Sequence, residues 1–138
     1  MDIEDRLANV PLFRDIPKKS LKRLAETARP REYKAGQTII TEGDEGVAFY
    51  LVTGGSAQAT RGGAQLATFK EGDFFGEMAL LDNHRRSATI VAATDVKMIA
   101  ISRWDFLSEV RDSPDMALAL LETMSRRIRE LDERLAGQ

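Results

Sequence analysis

The sequence predicts an α+β domain in three blocks: helices, then a β unit, then helices. Three observations carry that order. Apolar residues recur at helical spacing within residues 1–30 and again after residue 102. Between those blocks, short strand-like segments alternate with glycine turns. The chain has 138 residues, enough for one domain with a real core, and no internal repeat or linker divides it. One domain over 1–138 is therefore expected, with boundaries at 1–30, 31–102 and 103–138.

In the first block Ile3, Leu7 and Val10 share a helical face before Pro11, whose ring stops a helix. Pro17 stands near the next helix start, and Leu21, Leu24, Ala25 and Ala28 line one face until Pro30. Lys18, Lys19, Lys22 and Arg23 read as a solvated face of that helix.

The middle block offers seven strand candidates: Glu32–Tyr33, Thr38–Thr41, Val47–Val52, Ser56–Arg61, Gln65–Lys70, Ser87–Ala92 and Lys97–Ser102. Many short strands at regular turn spacing point to a sandwich, jelly roll or small barrel. Gly62-Gly63 between two alternating segments is a two-residue hairpin signal.

The last block carries Trp104, Leu107 and Val110 at i, i+3, i+6. Ser113-Pro114-Asp115 then starts a helix: serine as cap, proline at the first position, an acid in the first turn. Ala117, Leu121, Met124, Ile128, Leu131 and Leu135 follow at spacings of 4, 3, 4, 3 and 4, a heptad seam. The seam suits packing on the helix's own domain or pairing with a second copy, and both stay open. Gly137 ends the helix.

Composition narrows the function classes. The net charge is −2, from 20 basic and 22 acidic residues, so no basic excess exists to neutralise phosphates over a wide face. That argues against direct nucleic-acid binding. Without cysteine there is no disulfide framework and no thiolate zinc site. No apolar run approaches the roughly 18 residues that span a bilayer, and the acidic, mixed N-terminus does not read as a signal peptide. A cytoplasmic protein without a membrane partner is expected. The single histidine, His84, excludes a multi-histidine metal site, and no G-x-S-x-G surrounds a serine. The expectation is a protein that is not an enzyme, with no catalytic residues, no metal and no catalytic cofactor.

The chemistry concentrates in "FFGEMALLDNHRRSATIVAA", Phe74 to Ala93. Gly76 lets the backbone bend and approach a ligand. Glu77 to Leu81 has the length of one to two helical turns, which Asp82-Asn83 would end, and its first amides suit an anion. Arg86 can place a planar, always-charged fork over a phosphate. Ser87 can add a hydroxyl donor, and the small Ala88 lets its N–H come close. A carboxylate at Glu77 beside a phosphate is repelled unless it accepts a hydrogen bond from a hydroxyl of the same ligand, such as a ribose, with Arg86 balancing the charge. The alternative is structural: Glu77 favours a helix N-terminus and pairs with an arginine.

This segment resembles the phosphate-binding cassette of the cyclic nucleotide-binding domain family, which includes the bacterial catabolite activator type, the regulatory subunits of protein kinase A and cyclic nucleotide-gated channels. The family pattern F-G-E-[hydrophobic]-[AG]-L, a loop, then R-[ST/A]-A is matched by Phe75-Gly76-Glu77-Met78-Ala79-Leu80 and Arg86-Ser87-Ala88. "EGDEGVAFYLVTGGSAQA" is similar to a second family segment through Glu42, Gly43, Asp44, Gly46, Tyr50, Val52 and Gly55. The opening "PLFRDIPKKSLKRLA" and the closing helices fit the family's helical parts, so the likeness covers nearly the whole chain.

The resemblance implies an eight-stranded β-roll of the jelly-roll, or double-stranded β-helix, type, with N-terminal helices, two C-terminal helices and a cassette at 74–89. It implies that Glu77 accepts the ribose 2′-hydroxyl, that Arg86 holds the exocyclic phosphate oxygens, and that Ser87 assists the phosphate or touches the base. Backbone N–H groups around Gly76, Glu77, Met78 and Ala79 and at Ala88 complete the cradle. The implied ligand is cyclic AMP, with cyclic GMP as the second choice. The implied role is a regulatory sensor that repositions its C-terminal helix and can form a homodimer through it. Two other readings stand beside it: a ligand-independent interaction or dimerisation module with a structural cassette, and the sensor part of a larger transcription regulator. Met1 and the ending Ala-Gly-Gln favour a complete chain.

Departures from the pattern are local. Arg85 stands where many members have proline; it is expected to point to solvent, or else to compete for the phosphate or pair with Asp82. Leu131 and Asp132 stand where the catabolite activator type uses a Thr-Ser pair to reach the base. Arg127 and Leu131 are then the residues expected to reach the base from the last helix, where no aromatic residue follows Phe106.

Overall fold

The computed structural model describes residues 2–82 and 85–137, so Asn83 and His84, expected in a turn, lie outside the described residues. The chain divides into two units, each with its own buried side chains. One spans Thr27–Leu107, and the chain on either side of it forms the other.

The first unit is built from eight strands: β1 (Arg29–Tyr33), β2 (Thr38–Ile40), β3 (Ala48–Gly54), β4 (Ala57–Arg61), β5 (Ala64–Phe69), β6 (Phe74–Phe75), β7 (Thr89–Ala92) and β8 (Val96–Ser102). They form two four-stranded sheets, in the orders β1-β8-β3-β6 and β2-β7-β4-β5, with every pairing antiparallel. This is the expected jelly-roll-type roll. Gly62 and Gly63, both at positive φ, make the hairpin between β4 and β5. The roll is filled by Ile40, Val52, Ile90, Val96 and Met98 around the small Ala57, Ala59 and Ala92. Phe75 anchors it, with its ring 5.2 Å from Tyr50 and 4.9 Å from Phe69.

Strand boundaries differ from the sequence reading for physical reasons. Pro30 lies inside β1, where a helix limit was expected. It is tolerated because β1 is an edge strand, whose missing N–H need not serve a neighbour. Phe74–Phe75 is the strand absent from the sequence candidates, since two residues show no period. Val47 and Ser87 fall outside the strands, and the Val47 carbonyl accepts instead from the Arg103 amide at 2.8 Å.

The second unit contains α1 (Ile3–Ala8), a 3-10 turn at Pro11–Phe13, α2 (Lys18–Thr27, whose last residue falls in the first unit) and α4 (Pro114–Ala136). Between the units' sequences, α3 covers Arg103–Asp112. Asp2 caps α1 by accepting from the Asp5 amide, and Ser113 caps α4 by accepting from the Met116 amide. Leu7, Val10, Leu12, Phe13, Leu24, Met116 and Leu120 are buried. Lys18, Lys19, Lys22 and Arg23 are exposed, as expected, and Arg23 reaches Glu109 at 3.4 Å.

Two helical faces depart from the periodic reading. On α3 the buried residues are Phe106 and Glu109, while Trp104 is 64% exposed. On α4 the buried set is Met116, Leu120 and Thr123; the heptad positions Leu121, Ile128, Leu131 and Leu135 are 55–70% exposed. The seam is therefore not the face that this chain buries. Among the described residues, no helix is long and apolar enough to cross a membrane.

Candidate functional site

A cavity of about 360 Å3 opens in the β unit. Its apolar wall is Ile40, Phe69, Phe75 and Ile90, and the other wall is built from Gly76 to Ala79, Asp82, and Arg85 to Ala88. Seven of the residues singled out in the sequence meet there: Gly76, Glu77, Met78, Ala79, Arg86, Ser87 and Ala88. Arg127 and Leu131 do not line it; they stand on α4, beside a shallow dip of the helix surface shared with Glu130 and Arg134.

Gly76 ends β6 and starts a 3-10 turn over Glu77–Leu80. Its φ of +85° is a left-handed conformation that side chains resist. A Cβ there would lie 2.6 Å from Arg86 Nη1 and 2.8 Å from the Ala48 carbonyl oxygen. The bare turn therefore leaves room for the Arg86 guanidinium, which donates through Nη2 to that same carbonyl at 2.5 Å. Burial pulls the Arg86 pKa below the ordinary arginine value, and Tyr50 opposes that shift. Burial likewise raises the Tyr50 pKa, with Tyr33 adding to it and Arg86 and Arg31 opposing. A half-buried cation whose listener is a neutral carbonyl is poorly matched, and an anion is the ligand that would match it.

Glu77 lines the same cavity and is half-buried. Among the described residues its carboxylate has no hydrogen-bonding or ionic partner. The Glu77–Arg86 pair required by a purely structural cassette is not formed.

The cassette's return strand is held by the loop that precedes β3. The Arg86 amide donates to the Asp44 carbonyl at 2.7 Å, the Gly43 amide to the Arg86 carbonyl at 2.9 Å, and the Glu42 amide to Thr89 Oγ1 at 3.0 Å. Arg85 is exposed, as expected, but it is tied down. It lines the same cavity without pairing with Asp82, and its Nη1 donates to the Gly43 carbonyl at 2.8 Å. These bonds give the Glu42-Gly43-Asp44 motif a physical purpose: it fixes the backbone from which Arg86 projects. Sequence reasoning missed Ala48 and Arg61 as contributors. Ala48 acts only through its carbonyl, and Arg61 reads as the polar end of a hairpin strand, yet its Nε donates to the Ser87 carbonyl at 2.8 Å.

Comparison with known proteins agrees with this geometry. Residues 30–113 match the family described as Cyclic nucleotide-binding domain. The chain is 43% identical over 102 residues to a cAMP-dependent protein kinase regulatory subunit of Aspergillus niger, a match covering 72% of this chain and 25% of that protein. It is 37% identical over 127 residues to the Cyclic AMP receptor protein of Thermus thermophilus, covering 88% of this chain and 59% of that protein. The chain thus spans about a quarter and under two thirds of these relatives' lengths. The crystal structure of the N-terminal domain of a transcriptional regulator from Streptomyces coelicolor A3(2) superposes with a TM-score of 0.85 at 30% identity, covering 94% of this chain and 96% of that one.

Proposed function

Because the chain belongs to the cyclic nucleotide-binding domain family, we propose that its cassette cavity binds one cyclic nucleotide, cyclic AMP in preference to cyclic GMP. The single observation that carries this reading is the pair of unmatched charges on one cavity wall. Arg86 is half-buried against a neutral carbonyl, and Glu77 has no partner among the described residues. A cyclic nucleotide carries one phosphate charge and a ribose hydroxyl, and it would satisfy both groups at once. Arg86 takes the exocyclic phosphate oxygens, Glu77 the 2′-hydroxyl, and Ser87 assists the phosphate or touches the base. The amides of the Gly76–Ala79 turn and of Ala88 add donors. The names of the two relatives, both of which specify cyclic AMP, support the choice of base.

The module acts as a sensor and not as an enzyme, with the whole chain as its working unit. Ligand binding favours one arrangement of α4, by as much as its affinity differs between two arrangements, and Arg127 and Leu131 meet the base in the bound one. The exposed seam of Leu121, Ile128, Leu131 and Leu135 is the surface through which two copies pair. Direct nucleic-acid and membrane contacts form no part of this role, and the setting is the cytoplasm.

Calorimetric titration of wild type and Arg86→Ala with cyclic AMP and cyclic GMP tests the ligand. A hydrogen bond to a charged group contributes about 1.5–3 kcal/mol, so Arg86→Ala weakens binding tenfold or more. Wild type that binds neither nucleotide sinks the sensor reading. Solution mass tests the seam: Leu121→Glu shifts a dimer to monomer, whereas a wild-type monomer at high concentration removes the pairing.

A further inference from the structure

The β4–β7 ladder stops at the last residue of the cassette, Thr89. Its last pair is Thr60 with Thr89, and β4 then runs one residue further, to Arg61, before the Gly62-Gly63 turn. Past that pair a side chain replaces the backbone, as Arg61 Nε donates to the Ser87 carbonyl at 2.8 Å. That carbonyl belongs to the peptide joining Ser87 to Ala88, and no peptide of the described residues is cis. In a planar trans peptide the N–H leaves the edge opposite the C=O. With the carbonyl held towards Arg61, the Ala88 N–H is turned away from Arg61. Ala88 lines the cassette cavity and Arg61 does not.

We propose that Arg61 is a positioning residue for ligand binding: through the Ser87 carbonyl it fixes the Ala88 amide as a donor to the ligand's phosphate. A cationic donor on the carbonyl also polarises the peptide and strengthens its N–H, because hydrogen bonds in a chain reinforce one another. This inference rests on the cyclic nucleotide reading of the cavity. Arg61 is exposed, so its removal leaves the core of the roll intact.

The test compares wild type, Arg61→Met and Arg61→Lys by cyclic AMP calorimetry, thermal melting, and the amide proton shift of Ala88 on adding ligand. Arg61→Met keeps the apolar stem and loses the donor. It is expected to weaken binding about three- to tenfold, the range for one hydrogen bond, with an unchanged Tm and a smaller ligand-induced Ala88 shift. Arg61→Lys retains a charged donor and recovers most of the affinity. Wild-type affinity in Arg61→Met overturns the inference while leaving the nucleotide reading intact. A weakened affinity that tracks a lowered Tm, with the Ala88 shift unaltered, also overturns it. Wild type that does not bind cyclic AMP removes the nucleotide reading and this inference together.

Discussion

Of two cavities formed by described residues of the β unit, the smaller has the stronger claim to a ligand. The larger, about 570 Å3, is lined by Tyr33, Lys34, Asp95 and Lys97 beside Gly54 and Gly55. Its charged residues, Glu32, Lys34, Asp95 and Lys97, are all exposed to solvent. Lys34 Nζ lies 3.7 Å from Asp95 Oδ2, and Asp95 Oδ1 accepts from the Ala35 amide at 2.9 Å. The cassette cavity is about 360 Å3, and its two key charges are not matched to each other. Volume does not separate the two; unmatched charge in a half-buried setting does.

The sharpest way to break this contrast is to fill the bare turn of the smaller cavity. Gly76→Ala forces a left-handed alanine, at about 1–2 kcal/mol. Its new Cβ also crowds both the Ala48 carbonyl and the Arg86 guanidinium. We expect a lower Tm and a loss of cyclic AMP affinity of at least about tenfold, the equivalent of about 1.4 kcal/mol. Wild-type melting and affinity in this variant would show that the turn does not seat Arg86.

A smaller effect sharpens the contrast from the other side. Asp95→Asn in the larger cavity leaves cyclic AMP affinity unchanged. The Ala35 amide, and after it Lys34, hold the Asp95 carboxyl below the usual carboxylate range. A depressed folded pKa stabilises the fold above the unfolded-state pKa, and that contribution fades as pH falls through the folded value. Wild type therefore melts slightly above Asp95→Asn at neutral pH, and the two curves converge in acid. A changed nucleotide affinity, or curves that diverge in acid, contradicts this assignment.

Much of this was legible in the sequence, for reasons that particular residues show. Period and punctuation marked seven of the eight strands and the capped start of α4, because glycine turns and Ser113-Pro114 act locally. β6 was hidden because two residues carry no period. The seam on α4 was visible as a pattern, but which face the chain buries depends on tertiary packing. That packing chose Met116, Leu120 and Thr123. Trp104 misleads in the same way: its spacing to Leu107 and Val110 is helical, yet Phe106 and Glu109 are the residues buried on α3. In the site, Gly76, Glu77 and Arg86 stood out because their side-chain chemistry, or its lack, is written at their own positions. The Ala48 carbonyl has no such mark, since every residue carries one, and only the fold brings it to Arg86.

The proposed match between Glu77 and a ribose hydroxyl is tested most directly by calorimetry of cyclic AMP against 2′-deoxy cyclic AMP, on wild type and Glu77→Ala. Wild type is predicted to prefer cyclic AMP by about tenfold or more, the worth of one hydrogen bond to a charged group. Glu77→Ala is predicted to bind the two ligands equally, and both more weakly than wild type binds cyclic AMP. Wild type that does not discriminate, or a Glu77→Ala variant that keeps the full preference, contradicts the claim that this carboxylate reads the sugar.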